Sequence, residues 1–411
     1  MTQNSQRPRG DTNFRARRSG RGLVILFATA GLAWAAGANA VANITADWNP
    51  ALSLRLAPNH PVALAARADD LVRQARYEEA ERAALAAVNN SSVAASALSA
   101  LARLRATSDP ESARRLFSYV VQLNRREVSA HLWLVQDLAA RRDTERMLTH
   151  MDAAMRVSKQ TRDFLYPVLA ALIADERALA PAIVTFSQSP SWLEGFFGYV
   201  IYNNGPLTHL ARIITAMPDE AIPRATNIQA SLLRRLTQTE NYSEARALYR
   251  EVAPERADSI LRDPTFSNAS LYPPFDWAYT DGPELRALPI GTRSGGLQLY
   301  ARTGRGGRVA RQMVFLSPGT YGLASEVESL PPSEAGRAVW IIRCVGNSEE
   351  LAQLPIGEGG TTKYAVAFAI PNADCPAQWL ELHIRGGLEP EGFTGVVGSV
   401  SIAPTVAAAQ S

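Results

Sequence analysis

The sequence predicts a multidomain chain with three parts: an N-terminal transmembrane helix, an all-α solenoid of paired helices, and an all-β sandwich of jelly-roll type. Three observations carry this prediction. No charged residue occurs from Leu23 to Ala46, apolar residues recur at helical spacing from Trp48 to about Arg262, and the spacing becomes two from Gly296 onward. The predicted segments are a basic cytoplasmic tail (1–22), a transmembrane or signal segment (23–46), the helical domain (48–262), a linker (263–289), the β-sandwich (290–404) and a disordered tail (405–411).

The N-terminal segment carries signals that direct a chain to a membrane. Its uncharged run exceeds the roughly 20 residues that span a bilayer, and it follows a tail with six arginines and one aspartate. Because positive charge stays in the cytoplasm, we expect a single-pass inner-membrane protein whose N-terminus is cytoplasmic and whose bulk is periplasmic. The alternative is a signal peptide ending at Ala38-Asn39-Ala40, which would leave a soluble periplasmic protein.

The charge distribution argues against a nucleic-acid partner. The formal charge of +3 includes +5 from the first 22 residues, so the remaining chain carries −2. A protein that binds nucleic acid through a broad cationic face needs an excess of positive charge there. The N-terminal arginines are therefore interpreted as a topology signal.

The predicted helices come in pairs that repeat along the chain. A small or apolar residue lies near the start of the second helix of successive pairs at Ala80, Ala113 and Met147, which gives a period of 33 or 34 residues. Asp109-Pro110 suits one such start, since aspartate caps a helix and proline fits its first turn.

These repeats resemble degenerate tetratricopeptide repeats, which are helix-turn-helix units of this length. Arg76-Tyr77-Glu78-Glu79-Ala80 and, later, Asn241-Tyr242-Ser243-Glu244-Ala245 resemble the aromatic-x-x-Ala start of the second helix in that family. The resemblance implies stacked pairs with a concave surface that holds peptides or partner proteins.

Two groups of residues within the helical domain have a structural and a functional interpretation. Trp192, Phe196 and Tyr199 either line a peptide groove or form one helical stripe that faces a core, and the core is favoured. His131 and His150 fall in different helices of one unit and lack companions at metal-ligand spacing. We therefore predict no metal site and no cofactor.

The C-terminal part has the pattern of a β-sandwich. About eight short segments rich in β-branched and aromatic residues are separated by glycine and proline turns. With Ser317-Pro318-Gly319-Thr320-Tyr321 entering one strand, the pattern resembles noncatalytic carbohydrate-binding sandwiches. That resemblance implies a glycan as a further partner.

Two cysteines, Cys344 and Cys375, fall in this domain. In an oxidising compartment they are predicted to form a disulfide, and two buried free thiols are the alternative.

One predicted strand has a side suited to a sugar. Alternation from Trp379 to Arg385 sends Leu380, Leu382 and Ile384 to the core, so that the ligand-binding candidates Trp379, Glu381, His383 and Arg385 share the other side. An aromatic plate beside charged groups fits a pyranose, which has an apolar face and hydroxyls. The alternative is a solvated face, or one that the helical half covers.

No catalytic residues are predicted, because Gly-x-Ser-x-Gly, His-Glu-x-x-His and Gly-Lys-Ser/Thr are all absent from the sequence. The sequence therefore predicts an exported, membrane-anchored scaffold in bacterial envelope or exopolysaccharide assembly that binds partner proteins through its repeats. A glycan-binding module with a helical spacer is the alternative, and a glycan hydrolase is a third hypothesis.

Overall fold

The computed structural model describes the backbone of residues 13–222, 226–257, 259–291, 295–331, 336–346, 349–357, 362–387 and 392–405. Side chains in the first helix are described from residue 29 onward. The chain divides into two compact units, residues 1–162 and 163–411. The helices are α1 (Asn13–Thr45), α2 (Pro50–Leu56), α3 (Pro61–Arg73), α4 (Tyr77–Asn90), α5 (Ala95–Arg105), α6 (Pro110–Leu123), α7 (Val128–Arg141), α8 (Thr144–Val157), α9 (Lys159–Ile173), α10 (Leu179–Phe186), α11 (Leu193–Tyr202), α12 (Leu207–Ala216), α13 (Thr226–Gln238), α14 (Tyr242–Val252) and α15 (Pro254–Ala257).

Helix α1 runs through the predicted membrane segment. Across the residues that the structure describes, no helix combines the length and the apolar character needed to cross a bilayer. The predicted transmembrane helix is therefore not supported there. The side chains of Leu23 to Phe27, which open the predicted segment, lie outside the described residues.

The predicted helix pairs are confirmed. Helices α3 and α4, α5 and α6, and α7 and α8 pack against each other as successive neighbours, and α3 also packs on α5. Ala80, Ala113 and Met147 are each the fourth residue of α4, α6 and α8, and all three are buried. The small side chains of Ala80 and Ala113 let the two helices of a pair approach closely, and Met147 is buried at the same position, which explains the period in the sequence.

Side chains at the helix starts fix where several of these helices begin. Asp109 accepts a hydrogen bond from the backbone N–H of Ser112 at 3.0 Å, and Pro110 is the first residue of α6. Asp143 does the same for α8 through the N–H of Arg146. Such caps satisfy N–H groups that have no partner within the helix.

The aromatic stripe around α11 belongs to a core. Trp192, Phe196 and Phe197 are fully buried and surround Phe186 of α10 with ring centroids 5.7–6.0 Å apart. The core interpretation is confirmed for Trp192 and Phe196, whereas Tyr199 is half-buried. Tyr202, the last residue of α11, is by contrast 85% exposed.

The C-terminal part is a sandwich of two antiparallel five-stranded sheets. The first sheet has the order β1-β4-β9-β6-β7 and the second has the order β2-β3-β10-β5-β8. The strands are β1 (Ala278–Tyr279), β2 (Leu285–Pro289), β3 (Leu297–Ala301), β4 (Gly306–Val314), β5 (Gly319–Ser329), β6 (Gly336–Cys344), β7 (Glu350–Ile356), β8 (Lys363–Ile370), β9 (Gln378–Gly386) and β10 (Phe393–Pro404).

The predicted sandwich is confirmed, but its strand count was too low. β1 and β2 lie within residues 263–289, which the sequence predicted to be a linker. Prolines in that stretch suppress a strand signal, yet β1 is an edge strand of only two residues and Pro289 ends β2, positions where proline is tolerated. The boundaries of the predicted domains remain predictions.

The two sheets enclose one hydrophobic core, and the disulfide lies at the edge of that core. Trp340, Leu299, Leu382 and Val397 are among its fully buried members. Cys344, the last residue of β6, is bonded to Cys375, which lies three residues before β9. The predicted disulfide is therefore present in the structure.

Within residues 163–411, the last helices pack on the sandwich through one aromatic cluster. The Tyr249 ring of α14 stacks on Phe275 at 4.8 Å, and the guanidinium of Arg262 lies 4.3 Å from the centre of the Tyr249 ring. Gln312 of β4 binds both the N–H and the carbonyl of Arg262. These buried contacts join the helices to the first sheet.

Candidate functional site

An open groove lies along the first helices of the repeat pairs in residues 1–162. Its volume is about 590 Å³, and α3, α5 and the start of α7 supply most of its lining. We call it the first-helix groove, and it is lined by Asp47, Val62, Ala65, Ala66, Asp69, Val72, Arg73, Ser96, Ser99, Arg103, Glu127 and Ser129.

The floor of this groove is built from small residues. Ala65 and Ser99 are buried, while Ala66 and Ser96 are partly exposed. Alanine and serine leave the helix backbones close to the groove, so a bound chain can approach them. The Oγ of Ser99 is buried and has no hydrogen-bond partner among the described residues. It is therefore a donor and acceptor available to a ligand.

Polar contacts cross the groove from one repeat to the next. Nη2 of Arg103 in α5 donates to both carboxylate oxygens of Asp69 in α3, at 2.6 and 2.7 Å. The same guanidinium donates to the Oγ of Ser129 in α7, which in turn donates to Glu127. Because the pair joins residues 34 apart, roughly one repeat period, the stacking of repeats creates it.

Two histidines of the third helix pair lie next to each other. The Nδ1 atoms of His131 and His150 are 3.0 Å apart, and Nε2 of His131 donates to the carbonyl of Arg125. Burial lowers the pKa of His131, and burial together with the neighbouring His131 lowers the pKa of His150 to about 4. No cluster of three or more histidine, cysteine, aspartate or glutamate side chains suited to a metal occurs in the described residues.

The predicted alternation of β9 is confirmed. Leu380, Leu382 and Ile384 belong to the sandwich core. The predicted outer residues, Trp379, Glu381, His383 and Arg385, lie on the other side of the first sheet. Of the predicted ligand-binding residues, Trp379 and His383 are partly exposed, Arg385 is exposed and Glu381 is buried. The four therefore share a face but differ in their access to a ligand.

Glu381 is fully engaged by its protein neighbours. Its Oε1 accepts from Arg308 of β4 at 2.8 Å, while its Oε2 accepts from His383 at 3.1 Å and lies 3.2 Å from Arg343 of β6. Burial raises the pKa of the Glu381 carboxyl, but the hydrogen bond from His383 and the two guanidinium charges outweigh it, so the pKa lies below its ordinary value. The buried Glu381 carboxylate therefore binds three cationic or polar side chains of the sheet.

Trp379 faces a separate cleft, which we call the Trp379 cleft. Its lining consists of Arg234, Thr237 and Gln238 of α13, Pro273, Pro274, Ala278, Arg311 of β4 and Trp379, and its volume is about 260 Å³. The guanidinium carbon of Arg311 lies 4.4 Å from the centre of a Trp379 ring. Residues of α13 thus face Trp379 across this cleft.

The arginines around this face were missed by the sequence reasoning. Arg311, Arg308 and Arg343 come from β4 and β6, the two neighbours of β9 in the sheet, and Arg234 comes from a helix about 140 residues earlier. Only the strand order brings them together. The alternation of side chains along β4 places Arg311 and Met313 on the same side of the strand. This alternation is the sequence signal from which the position of Arg311 could have been predicted.

Solved structures similar to parts of the chain include helical-repeat proteins and carbohydrate-binding modules. The match to pilF of Pseudomonas aeruginosa covers 58% of this chain and 94% of that one, with 13% identity and a TM-score of 0.29. YrrB, a tetratricopeptide-repeat protein with an unusual peptide-binding site, matches over 50% and 93%, with 13% identity and a TM-score of 0.26. The module TmCBM61, solved with β-1,4-galactotriose, matches over 36% and 98%, with 12% identity and a TM-score of 0.26.

No protein-family model matches the sequence, and no curated protein is similar to it in sequence. The structure itself has helical repeats followed by a sandwich of two antiparallel sheets.

Proposed function

We propose that this protein is an exported, noncatalytic scaffold that holds a segment of a partner protein in the first-helix groove. The observation that carries the proposal is the groove itself, with a floor of alanine and serine and a buried Ser99 hydroxyl that lacks a partner among the described residues. A peptide backbone supplies both donors and acceptors, so it can satisfy such a hydroxyl.

The polar contacts across the groove give it a fixed shape before any ligand arrives. The Asp69–Arg103 pair and the bond from Arg103 to Ser129 connect three successive first helices. A preorganised surface costs less entropy on binding than one that must be ordered. We therefore expect a short polar segment of the partner to bind without rearrangement of the repeats.

The proposal is tested by placing a large side chain in the first-helix groove. Ala66→Arg places a long charged side chain on the floor, whereas Ala139→Arg adds the same group to an exposed position of α7 that does not line the groove. Full-length protein and both variants are used to retain partners from solubilised envelope membranes. We expect Ala66→Arg to lose the partner and Ala139→Arg to keep it. Equal retention by both variants would rule out the groove as the binding surface.

We also propose that the bulk of the chain lies in the periplasm, held at the inner membrane by its N-terminal segment or released after cleavage. The uncharged run, the six preceding arginines and the Cys344–Cys375 disulfide support export. A phosphatase reporter that is active only outside the cytosol, fused after residue 411, should be active. Absence of reporter activity in cells that produce the full-length fusion would contradict export. N-terminal sequencing of the mature protein distinguishes anchoring from cleavage.

Glycan binding by the β-sandwich is the second candidate function. The half-exposed Trp379 and the cleft beside it favour it, because an indole can stack on a sugar ring while polar groups hold the hydroxyls. Saccharide binding that is lost in Trp379→Ala would support this function, and saccharide turnover would instead support a hydrolase. Such a module and the groove would act on different partners.

A further inference from the structure

We infer that the Trp379 cleft binds a sugar residue that carries a carboxylate, such as a uronic acid in an acidic polysaccharide. The inference rests on the proposed glycan-binding function of the sandwich and adds the class of ligand. The binding residues are then Trp379, Arg234 and Arg311, and not the four predicted residues on the outer side of β9.

The charge of the cleft is the first argument. Arg234 and Arg311 both line it, and none of the described residues that line it is acidic. Neither arginine takes part in an ion pair within the described residues, whereas Arg308 and Arg343 on the same face are bound to Glu381. Glu381 lies opposite Arg311 on the neighbouring strand and its charge acts on Arg311, but the same carboxylate is shared with Arg308, Arg343 and His383, so the cleft retains an excess of positive charge.

The geometry of Arg311 is the second argument. Its guanidinium lies over the Trp379 indole, 4.4 Å from the ring centre. The N–H groups of a guanidinium lie in its plane, so stacking on an indole leaves them free to donate. A carboxylate accepts two parallel hydrogen bonds from such a group, which a neutral hydroxyl cannot do.

The size of the cleft limits the ligand. Its volume of about 260 Å³ lies just below the range of about 300–1,000 Å³ that is typical of drug-sized ligands. One sugar residue therefore fits better than a long stretch of polysaccharide. Pro273, Pro274 and Ala278 supply an apolar wall, and Thr237 and Gln238 supply polar side chains beside the arginines.

The test compares acidic and neutral forms of the same sugars with full-length protein. Calorimetry measures binding of trigalacturonate, trimannuronate and their methyl esters, which lack the charge. We expect at least one acid to bind about tenfold more tightly than its ester, the effect of one charge-assisted hydrogen bond. Added salt should weaken this binding, because the cleft is open to solvent.

Variants locate the site. Arg234→Gln removes one cation from an exposed position of α13, and Arg250→Gln removes one from an exposed position of α14 that does not line the cleft. Arg234→Gln should weaken acid binding by about tenfold, and Arg250→Gln should leave it unchanged. Thermal unfolding of each variant verifies that the fold is intact.

Three results would overturn the inference. Equal binding of acids and esters that Trp379→Ala abolishes would preserve glycan binding but reject recognition of the carboxylate. Absence of binding by all four saccharides would reject both the inference and the glycan-binding function. Loss of acid binding in Arg250→Gln as well as Arg234→Gln would reject the cleft in favour of general charge attraction.

Discussion

At the scale of single residues, the pair His131 and His150 makes the repeat unit sensitive to acid. Nε2 of His131 donates to a carbonyl, so its neutral Nδ1 accepts from Nδ1 of His150. Since the pKa of each imidazole is lowered, both are neutral at neutral pH. Burial is the main cause of the lowered pKa of each histidine, and the pKa of His150 is about 4.

The stability of residues 1–162 is expected to decrease as the pH falls from about 6.5 to about 4. The unfolded chain takes up protons near pH 6.5, whereas folded His150 does so only near 4, so protonation favours unfolding in this window. The loss should be roughly 1–3 kcal/mol. Urea unfolding at a series of pH values measures it. His150→Gln should flatten the curve; an unchanged slope in this variant would contradict the prediction.

Glu381 is expected to stabilise the sandwich more than it serves a ligand. Glu381→Gln removes the charge that compensates Arg308, Arg343 and His383, so we expect the free energy of unfolding to fall by about 1–3 kcal/mol. Glu350→Gln, at an exposed position that also faces Arg343, should cost less than about 1 kcal/mol. Chemical denaturation of both variants gives the comparison, and equal losses would show that burial of Glu381 has no such effect.

At the scale of elements, the disulfide fixes the end of β6 to the segment that enters β9. The two cysteines are 31 residues apart in sequence. Closing a loop of this size restricts the unfolded chain, and by the loop-entropy estimate it contributes about 3–4 kcal/mol.

Cys344→Ser with Cys375→Ser should therefore lower the free energy of unfolding by about 3–4 kcal/mol. Adding a reductant to the wild-type protein should produce a similar loss, and the double variant should be insensitive to the reductant. Alkylation followed by mass spectrometry verifies the bond in the native protein. Two thiols that react without prior reduction would refute the disulfide.

The repeat elements were predictable because their signal is local. Ala80 and Ala113 mark the same position of α4 and α6, and Ala245 marks it again in α14. A small residue at this position is required by the contact between two adjacent helices, so one helical pair is enough to impose the pattern. The first-helix groove follows from stacking, and its Asp69–Arg103 pair could not be assigned without it.

At the scale of the whole molecule, the last helices and the sandwich belong to one compact unit, residues 163–411. Tyr249 of α14 is fully buried against Phe275, and its hydroxyl donates to Asp276. Phe315, which follows β4, contacts both Phe275 and Arg246 of α14. A cut near residue 265 would expose these aromatic contacts.

A fragment of residues 163–411 should therefore be more stable than one of residues 265–404. Loss of Tyr249 alone removes a buried aromatic residue, an effect of at least about 3 kcal/mol. Thermal and denaturant unfolding of the two fragments measures the difference. Equal midpoints would mean that the sandwich does not depend on the preceding helices.

The sequence alone determined that paired helices precede a β-sandwich, and it determined which residues of β9 enter the core of that sandwich. These features arise from periodicity and from contacts between neighbouring elements, which leave a local record in the chain. Only the tertiary structure decided that Glu381 is occupied, that Trp379 stacks with Arg311, and that Arg234 of α13 lines the same cleft. The strand order and the packing of α13 bring together residues that lie far apart in sequence, and no pattern along the chain encodes those contacts.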